Sequence, residues 1–172
     1  TDVALPLFGA HQADNAALAL AAVEAFFGAG VDGRRIQDDI IRGGFAAASS
    51  PGRLEVVKRS PTIVIDAAHN PHGATALVTT LAEEFGFDRI VCVVGMLADK
   101  DATGFLGLLE PITDQLICSE STSPRALPAA ELAELAPYQL VLATGEGGAR
   151  TLGRMAAGEA ALAPPARRRI SP

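Results

Sequence analysis

From residue 54 to residue 144 the hydrophobic pattern of this chain keeps switching period. Short aliphatic, largely β-branched runs such as Thr62-Ile63-Val64-Ile65 and Ile90-Val91-Cys92-Val93-Val94 are followed by longer stretches built on Ala, Leu and Glu. Short β-branched runs bounded by Pro or polar residues read as strands, and Ala/Leu-rich stretches read as helices. This places strands at 54–58, 62–66, 90–95, 115–119 and 139–144, and helices at 73–85, 102–109 and 128–135. Strands and helices alternating at this spacing imply βαβ units, so the expected fold class is α/β with a mainly parallel sheet.

The flanks differ from this core. Residues 12–28 are dominated by Ala and Leu and end at Gly28, a helix with its C-terminal stop, and Asp14 or Asn15 suits its first turn. The helix is apolar on most faces, which predicts burial. A second helix is expected at 33–43, stopping at Gly43-Gly44. Ala46-Ala47-Ala48-Ser49-Ser50-Pro51-Gly52 then reads as a linker, which divides the chain into 1–48, 49–145 and a tail, 146–172. In the tail a helix could form over 147–162, whereas Pro164-Pro165-Ala166-Arg167-Arg168-Arg169 reads as disordered.

Composition narrows the function classes. A formal net charge of -6 argues against a nucleic-acid backbone binder, which needs a basic face. A single nucleotide needs only local positive groups and stays possible. No apolar stretch is long enough to span a bilayer and no signal-peptide pattern opens the chain, so the expected location is the cytoplasm with no membrane partner. Cys92 and Cys118, the two cysteines, fall in expected strands and read as reduced, buried small hydrophobes. The sequence has no Gly-x-x-x-x-Gly-Lys-Ser/Thr phosphate loop, no zinc-ligand spacing and no Gly-x-Ser-x-Gly elbow, so no metal ligand is assigned to it.

Chemistry concentrates where expected strands end. Asp66-Ala67-Ala68-His69-Asn70-Pro71 puts a carboxylate, an imidazole and a carboxamide directly after an apolar strand. In open α/β sheets ligands bind at the carboxyl ends of strands. Asp66 is suited to ribose hydroxyls or a cationic group, or else to capping a helix. Arg53, just before the first strand, could grip phosphate oxygens through several donors or form a surface ion pair. Lys100 follows the strand at 90–95 and could neutralise a phosphate or a substrate carboxylate. Ser119 and Arg125 flank the loop after the strand at 115–119, where Arg125 is suited to a carboxylate. His69 would need reach to a proton and a titrating pKa to act as a base.

Four stretches in order resemble the Mur ligase superfamily, and more narrowly its folylpolyglutamate synthase/dihydrofolate synthase branch. They are Phe8-Gly9-Ala10-His11-Gln12-Ala13-Asp14-Asn15-Ala16, Pro51-Gly52-Arg53-Leu54-Glu55, Asp66-Ala67-Ala68-His69-Asn70-Pro71-His72 and Gly95-Met96-Leu97-Ala98-Asp99-Lys100-Asp101. The resemblance runs over about residues 5–136. It implies a Rossmann-like C-terminal α/β domain preceded by a helical end of an ATPase domain. It also implies an enzyme that uses ATP and magnesium to join L-glutamate to dihydropteroate or a reduced folate through an acyl phosphate. By resemblance, Asn15, Arg53 and Asp66 contact ATP. Asn70 is assigned to the same nucleotide and His69 to the catalytic centre as a positioning or ATP-contacting group, while from their places at strand ends Lys100 is assigned to the catalytic centre as a charge-neutralising group and Ser119 and Arg125 to substrate. The phosphate loop, the magnesium ligands and a carbamylated lysine would lie on an N-terminal domain absent from this sequence, so the chain alone is not expected to ligate. The family suggests a monomer at full length. Residues 137–172 depart from the family's pattern, with Thr144-Gly145-Glu146 where Thr-Gly-Ser is expected, and inherit no roles. Two other readings stand beside this one: a peptidoglycan-type Mur ligase C-terminal domain, and a non-catalytic nucleotide-binding module.

Overall fold

A computed structural model describes residues 3–28, 35–136 and 141–144, the last as backbone only. The elements in chain order are α1 (Ala10–Phe27), α2 (Asp38–Ala46), β1 (Glu55–Arg59), β2 (Thr62–Ile65), α3 (Pro71–Glu84), β3 (Val91–Val94), α4 (Ala102–Leu109), β4 (Gln115–Ser119), α5 (Ala129–Glu134) and β5 (Val141–Thr144). They fall into two compact units. The first holds Thr1–Ala67 with Thr79–Phe85, and the second holds Ala68–Val78 with the chain from Gly86.

The second unit carries the expected α/β architecture. Its sheet has the order β3-β4-β5 and is parallel throughout. Parallel strands need long crossovers, which α4 and α5 provide. β4 is the central strand, and Gln115, Leu116, Ile117 and Cys118 are all buried, as expected for a parallel strand covered on both faces. Leu116 and Cys118 join Ala74 of α3, Met96, Ala102, Phe105, Leu106 and Leu109 of the α4 region, and Leu132 of α5 in one core. Asp101 caps α4, its Oδ1 accepting the Gly104 N–H at 2.9 Å, so the helix starts where its first orphan donor finds a carboxylate. The two cysteines are free. Cys118 is fully buried and Cys92 half-buried, with its Sγ 3.2 Å from Thr113 Oγ1. Burial pushes both thiols up.

The first unit departs from the expected pattern. β1 and β2 are not in the parallel sheet. They pair antiparallel as a separate two-stranded hairpin, Glu55 opposite Ile65 and Arg59 opposite Thr62, with an irregularity between Val56 and Lys58. The reason was present in the sequence: Ser60-Pro61 is far too short for a parallel crossover, so adjacent strands so joined must run antiparallel. β2 is half-buried at Ile63 and Val64 and exposed at both ends.

Ahead of the hairpin, Pro51-Gly52 makes the turn. Arg53 N–H donates to Ser50 O at 3.1 Å and Gly52 has φ 71°, which meets the needs of a type II turn with Pro second and Gly third. The expected linker is therefore an ordered turn. α1 begins at Ala10, earlier than expected, which moves Asp14 and Asn15 beyond the first turn, and it stops at Gly28 in the left-handed conformation. α2 starts at Asp38 and runs through Gly43 and Gly44 to Ala46, so the paired glycines do not end it. Phe8 and Phe85 rings lie 4.8 Å apart and Gly9 N–H donates to Glu84 Oε1 at 2.8 Å, which fastens the start of α1 to the end of α3. Beyond that point α1 is exposed, contrary to the expected burial: Leu18 is 70%, Phe26 83% and Phe27 64% accessible. The possible helix at 147–162 and the Pro/Arg tail lie outside the described residues. No helix among the described residues is long and apolar enough to cross a membrane.

Leu106 is 0% exposed at the heart of the second unit's core. Leu106→Ala is expected to cost about 2–5 kcal/mol, from lost transfer energy and a residual cavity. A denaturant midpoint that does not move would show that this core does not carry the unit's stability.

Candidate functional site

The expected site residues divide between the two units, and each group can be built up separately. In the first unit the turn Ser50–Arg53 places Arg53 at the rim of a shallow cleft of about 200 Å³ lined by Pro6, Phe8, Ser50, Leu54, Glu55 and neighbours. Gly52 N–H donates to Glu55 Oε2 at 2.8 Å, so this acidic group is drawn onto the turn backbone. The Arg53 side chain is exposed, and no ion pair with another described residue holds it. An uncommitted guanidinium beside a cleft can present a planar fork of donors to an anion.

Asp66 directly follows β2 and is half-buried. Its Oδ2 accepts the backbone N–H of Leu54 at 2.9 Å. Leu54 is 3% exposed and has φ 47°, a conformation disfavoured for a non-glycine residue. Asp66 therefore holds a strained, buried turn in place whatever else it binds. A carboxylate has several acceptor sites, so this bond does not exhaust its capacity. Asn15 is exposed on α1, with Nδ2 donating to Gln12 Oε1 at 3.4 Å, a long bond that a ligand could displace.

In the second unit His69 and Asn70 lead into α3, both exposed. Asn70 Oδ1 accepts the Gly73 N–H at 2.8 Å, and Ala74 N–H donates to Asn70 O at 2.9 Å, the two bonds of an N-cap. The carboxamide predicted to face a nucleotide thus starts a helix.

The carboxyl edge of the parallel sheet gathers the remaining candidates. Lys100 and Arg125 come together on one carboxylate that sequence reasoning passed over: Arg125 Nη2 lies 2.7 Å from Asp99 Oδ1, and Lys100 Nζ lies 3.3 Å from Asp99 Oδ2. The loops that carry them are joined by backbone bonds, Leu127 N–H to Met96 O at 2.8 Å and Ala98 N–H to Arg125 O at 2.9 Å, around an antiparallel bridge between Leu97 and Ala126. Ser119, half-buried at the end of β4, adjoins the same edge, and a Cβ on Gly95 would come within 3.2 Å of its carbonyl. The signal that could have pointed to Asp99 was its position beside Lys100 in the loop after β3. Nothing local links it to Arg125, which lies 26 residues on.

The Arg125 guanidinium, and after it the Lys100 ammonium, hold the Asp99 carboxyl below its ordinary value. A depressed carboxyl pKa means that the pairing is present above the ordinary carboxylate value and is lost as pH falls through the lowered one. Carbon-detected NMR titration should therefore give Asp99 a midpoint below that of an ordinary aspartate. Arg125→Ala should move that midpoint upward. A midpoint that stays put in the variant would show that the contact does not persist in solution.

Comparison with known proteins places this geometry. The family described as Mur ligase, glutamate ligase domain, matches residues 52–166. The dihydrofolate synthase/folylpolyglutamate synthase of Mycobacterium tuberculosis is 55% identical over 133 residues, 77% of this chain and 27% of that protein. The Escherichia coli protein of the same name is 38% identical over 120 residues, again 27% of its length. This chain thus spans about a quarter of the curated relatives it matches. Among solved structures, Mycobacterium tuberculosis folylpolyglutamate synthase complexed with ADP superposes with a TM-score of 0.81 at 46% identity, covering 94% of this chain and 36% of that one. E. coli FolC in complex with DHPP and ADP gives a TM-score of 0.74 at 33% identity, covering 90% and 34%. With the parallel sheet, the turn at Arg53 and the Asp66–Pro71 stretch all in place, the chain belongs to the Mur ligase family, as a glutamate ligase domain.

Proposed function

We propose that this chain is the C-terminal portion of an ATP-dependent ligase that adds L-glutamate to dihydropteroate or a reduced folate. The observation that carries the reading is the likeness, at 46% identity over 94% of the chain, to a folylpolyglutamate synthase complexed with ADP. On this reading 1–48 is the helical end of an ATPase domain, 49–145 the C-terminal α/β domain and 146–172 an atypical tail. The exposed Leu18, Phe26, Phe27 and Ile40 support the first assignment, because an apolar surface of this kind suits an interface better than solvent. Alone, the chain should associate with rising concentration in light scattering, and the same helices within the full-length protein should give a monomer. A chain that stays monomeric at high concentration would count against the division at residue 48.

The residues present suit a nucleotide in chemistry but do not enclose it. Arg53 is an exposed guanidinium available to phosphate oxygens, Asp66 offers acceptors of the kind a ribose hydroxyl needs, and Asn15 has a carboxamide held only weakly. The cleft of about 200 Å³ is smaller than the roughly 300–1,000 Å³ of pockets that bury a ligand of this size. The rest of the nucleotide's enclosure, and the magnesium ligands, would come from the ATPase domain. Among the described residues no group of three or more His, Cys, Asp or Glu is gathered to hold a metal ion. ATP supplies the phosphoryl group that activates the acceptor's carboxylate for displacement by the glutamate amine. The tasks left to this chain are orientation and charge: Arg53, Asp66, Asn15 and Asn70 toward the nucleotide, Lys100, Arg125 and Ser119 toward the amino acid, and His69 as a positioning group. The full-length protein is read as cytoplasmic, with neither nucleic acid nor membrane among its partners; the net charge of -6 on this chain bears on the nucleic acid alone.

The test is glutamate-dependent ADP release with magnesium, ATP and either dihydropteroate or tetrahydrofolate. The chain alone should be silent, and the full-length protein active. Arg53→Ala in that protein should raise KM for ATP about tenfold to a hundredfold, the scale of losing a charged hydrogen-bond partner. Arg53 is the better probe than Asp66, whose removal would also strand the buried Leu54 N–H. Turnover by the chain alone would sink the reading. Silence of the full-length protein with both acceptors would move it to another branch of the Mur ligases.

A further inference from the structure

We infer that Asp99 is a positioning residue for the amino-acid substrate: it holds Arg125 and Lys100 as one oriented pair of cations that receives a carboxylate of the incoming amino acid. This rests on the ligase reading above.

The two carboxylate oxygens divide the work, Oδ1 taking Arg125 at 2.7 Å and Oδ2 taking Lys100 at 3.3 Å. The ion pairs are exposed, with the Arg125 side chain 66% and the Lys100 side chain 32% accessible, so they add little to stability. Their consequence is orientation. Arg and Lys side chains lose much rotamer freedom when a ligand orders them, and fixing them in advance lowers the cost of binding it.

The backbone of Arg125 is already set. Its carbonyl accepts the Ala98 N–H at 2.9 Å, its own N–H donates to Ser123 Oγ at 3.2 Å, and the bridge at Leu97 and Ala126 ties the two loops together. What remains to be set is the direction of the guanidinium, and Asp99 sets it. The next carboxylate in the chain, Asp101, is occupied as the α4 cap.

Two cations around one carboxylate leave a net charge of +1 and unspent donors: Arg has five N–H groups and Lys three. A single positive charge with a planar fork matches a carboxylate, and the location at the carboxyl edge of β3 and β4 is where α/β sheets bind ligands.

The experiment uses the full-length ligase that contains this chain and measures KM for glutamate, KM for ATP and kcat in one assay. Asp99→Asn should raise KM for glutamate roughly threefold to tenfold, the scale of one side chain that must be ordered on binding. KM for ATP and kcat should stay within about twofold of the parent, a split that general destabilisation would not produce. Asp99→Glu should restore most of the loss. In an Arg125→Ala background Asp99→Asn should add nothing, because a residue acting through Arg125 has nothing left to act through. An unchanged or lowered KM for glutamate in Asp99→Asn would overturn the inference, since Asp99 would then only compete with substrate for the cations. Full additivity with Arg125→Ala would overturn it too. If Arg125→Ala itself leaves KM for glutamate unchanged, the inference falls with the assignment of Arg125, whereas continued ATP- and glutamate-dependent turnover in that assay shows the ligase reading intact.

Discussion

The structure of the second unit depends on burying β4 on both faces. A parallel strand between two parallel neighbours has no solvated side, so Leu116 and Cys118 meet the core of α4 and α5 while Gln115 and Ile117 are covered on the other face. Once that strand is fixed, the loops after β3 and β4 must leave the sheet at the same edge. Gly95 passes against the Ser119 carbonyl, and the Leu97–Ala126 bridge ties the loops before their charged side chains diverge. Asp99, Lys100 and Arg125 meet because the sheet brings their loops together.

Several candidate ligand residues also have a structural task. Asp66 supports the buried Leu54 at a positive φ, and Asn70 caps α3. Removing either side chain would leave a backbone donor without its partner, so loss of function on substitution would not by itself report ligand contact. Among the described residues Arg53 and Lys100 have no such bond to the backbone, which makes them cleaner reporters of charge. The overlap has a simple physical origin: short polar side chains where a strand gives way to a helix are suited both to orphan N–H groups and to ligands.

Much of this was legible in the residues. The strand at β4 and the helix at α4 follow from composition and period. Gly28 stops α1 as its position suggested. The hairpin was legible as well, from the brevity of Ser60-Pro61, but alternation along the chain pulled its strands into the parallel sheet. The exposure of α1 was harder to read. An all-round apolar helix signals burial, and Leu18 and Phe26 are nevertheless accessible, because composition reports what a surface prefers and not what is there to cover it.

By itself the sequence determined the alternation of strand and helix after residue 61, the polar stretch from Asp66 to Pro71 and the likeness to glutamate ligases. These are local properties, set by side-chain period, backbone freedom and the order of residue types. Tertiary structure alone decided which of the candidate groups stand together. Lys100 finds Asp99 beside it, but Arg125 reaches the same carboxylate from 26 residues away, through strand pairing and a bridge between loops. It also decided that Asp66 is committed in part to Leu54. Contacts between residues distant in sequence are fixed by packing and register, and no local pattern in the chain encodes them.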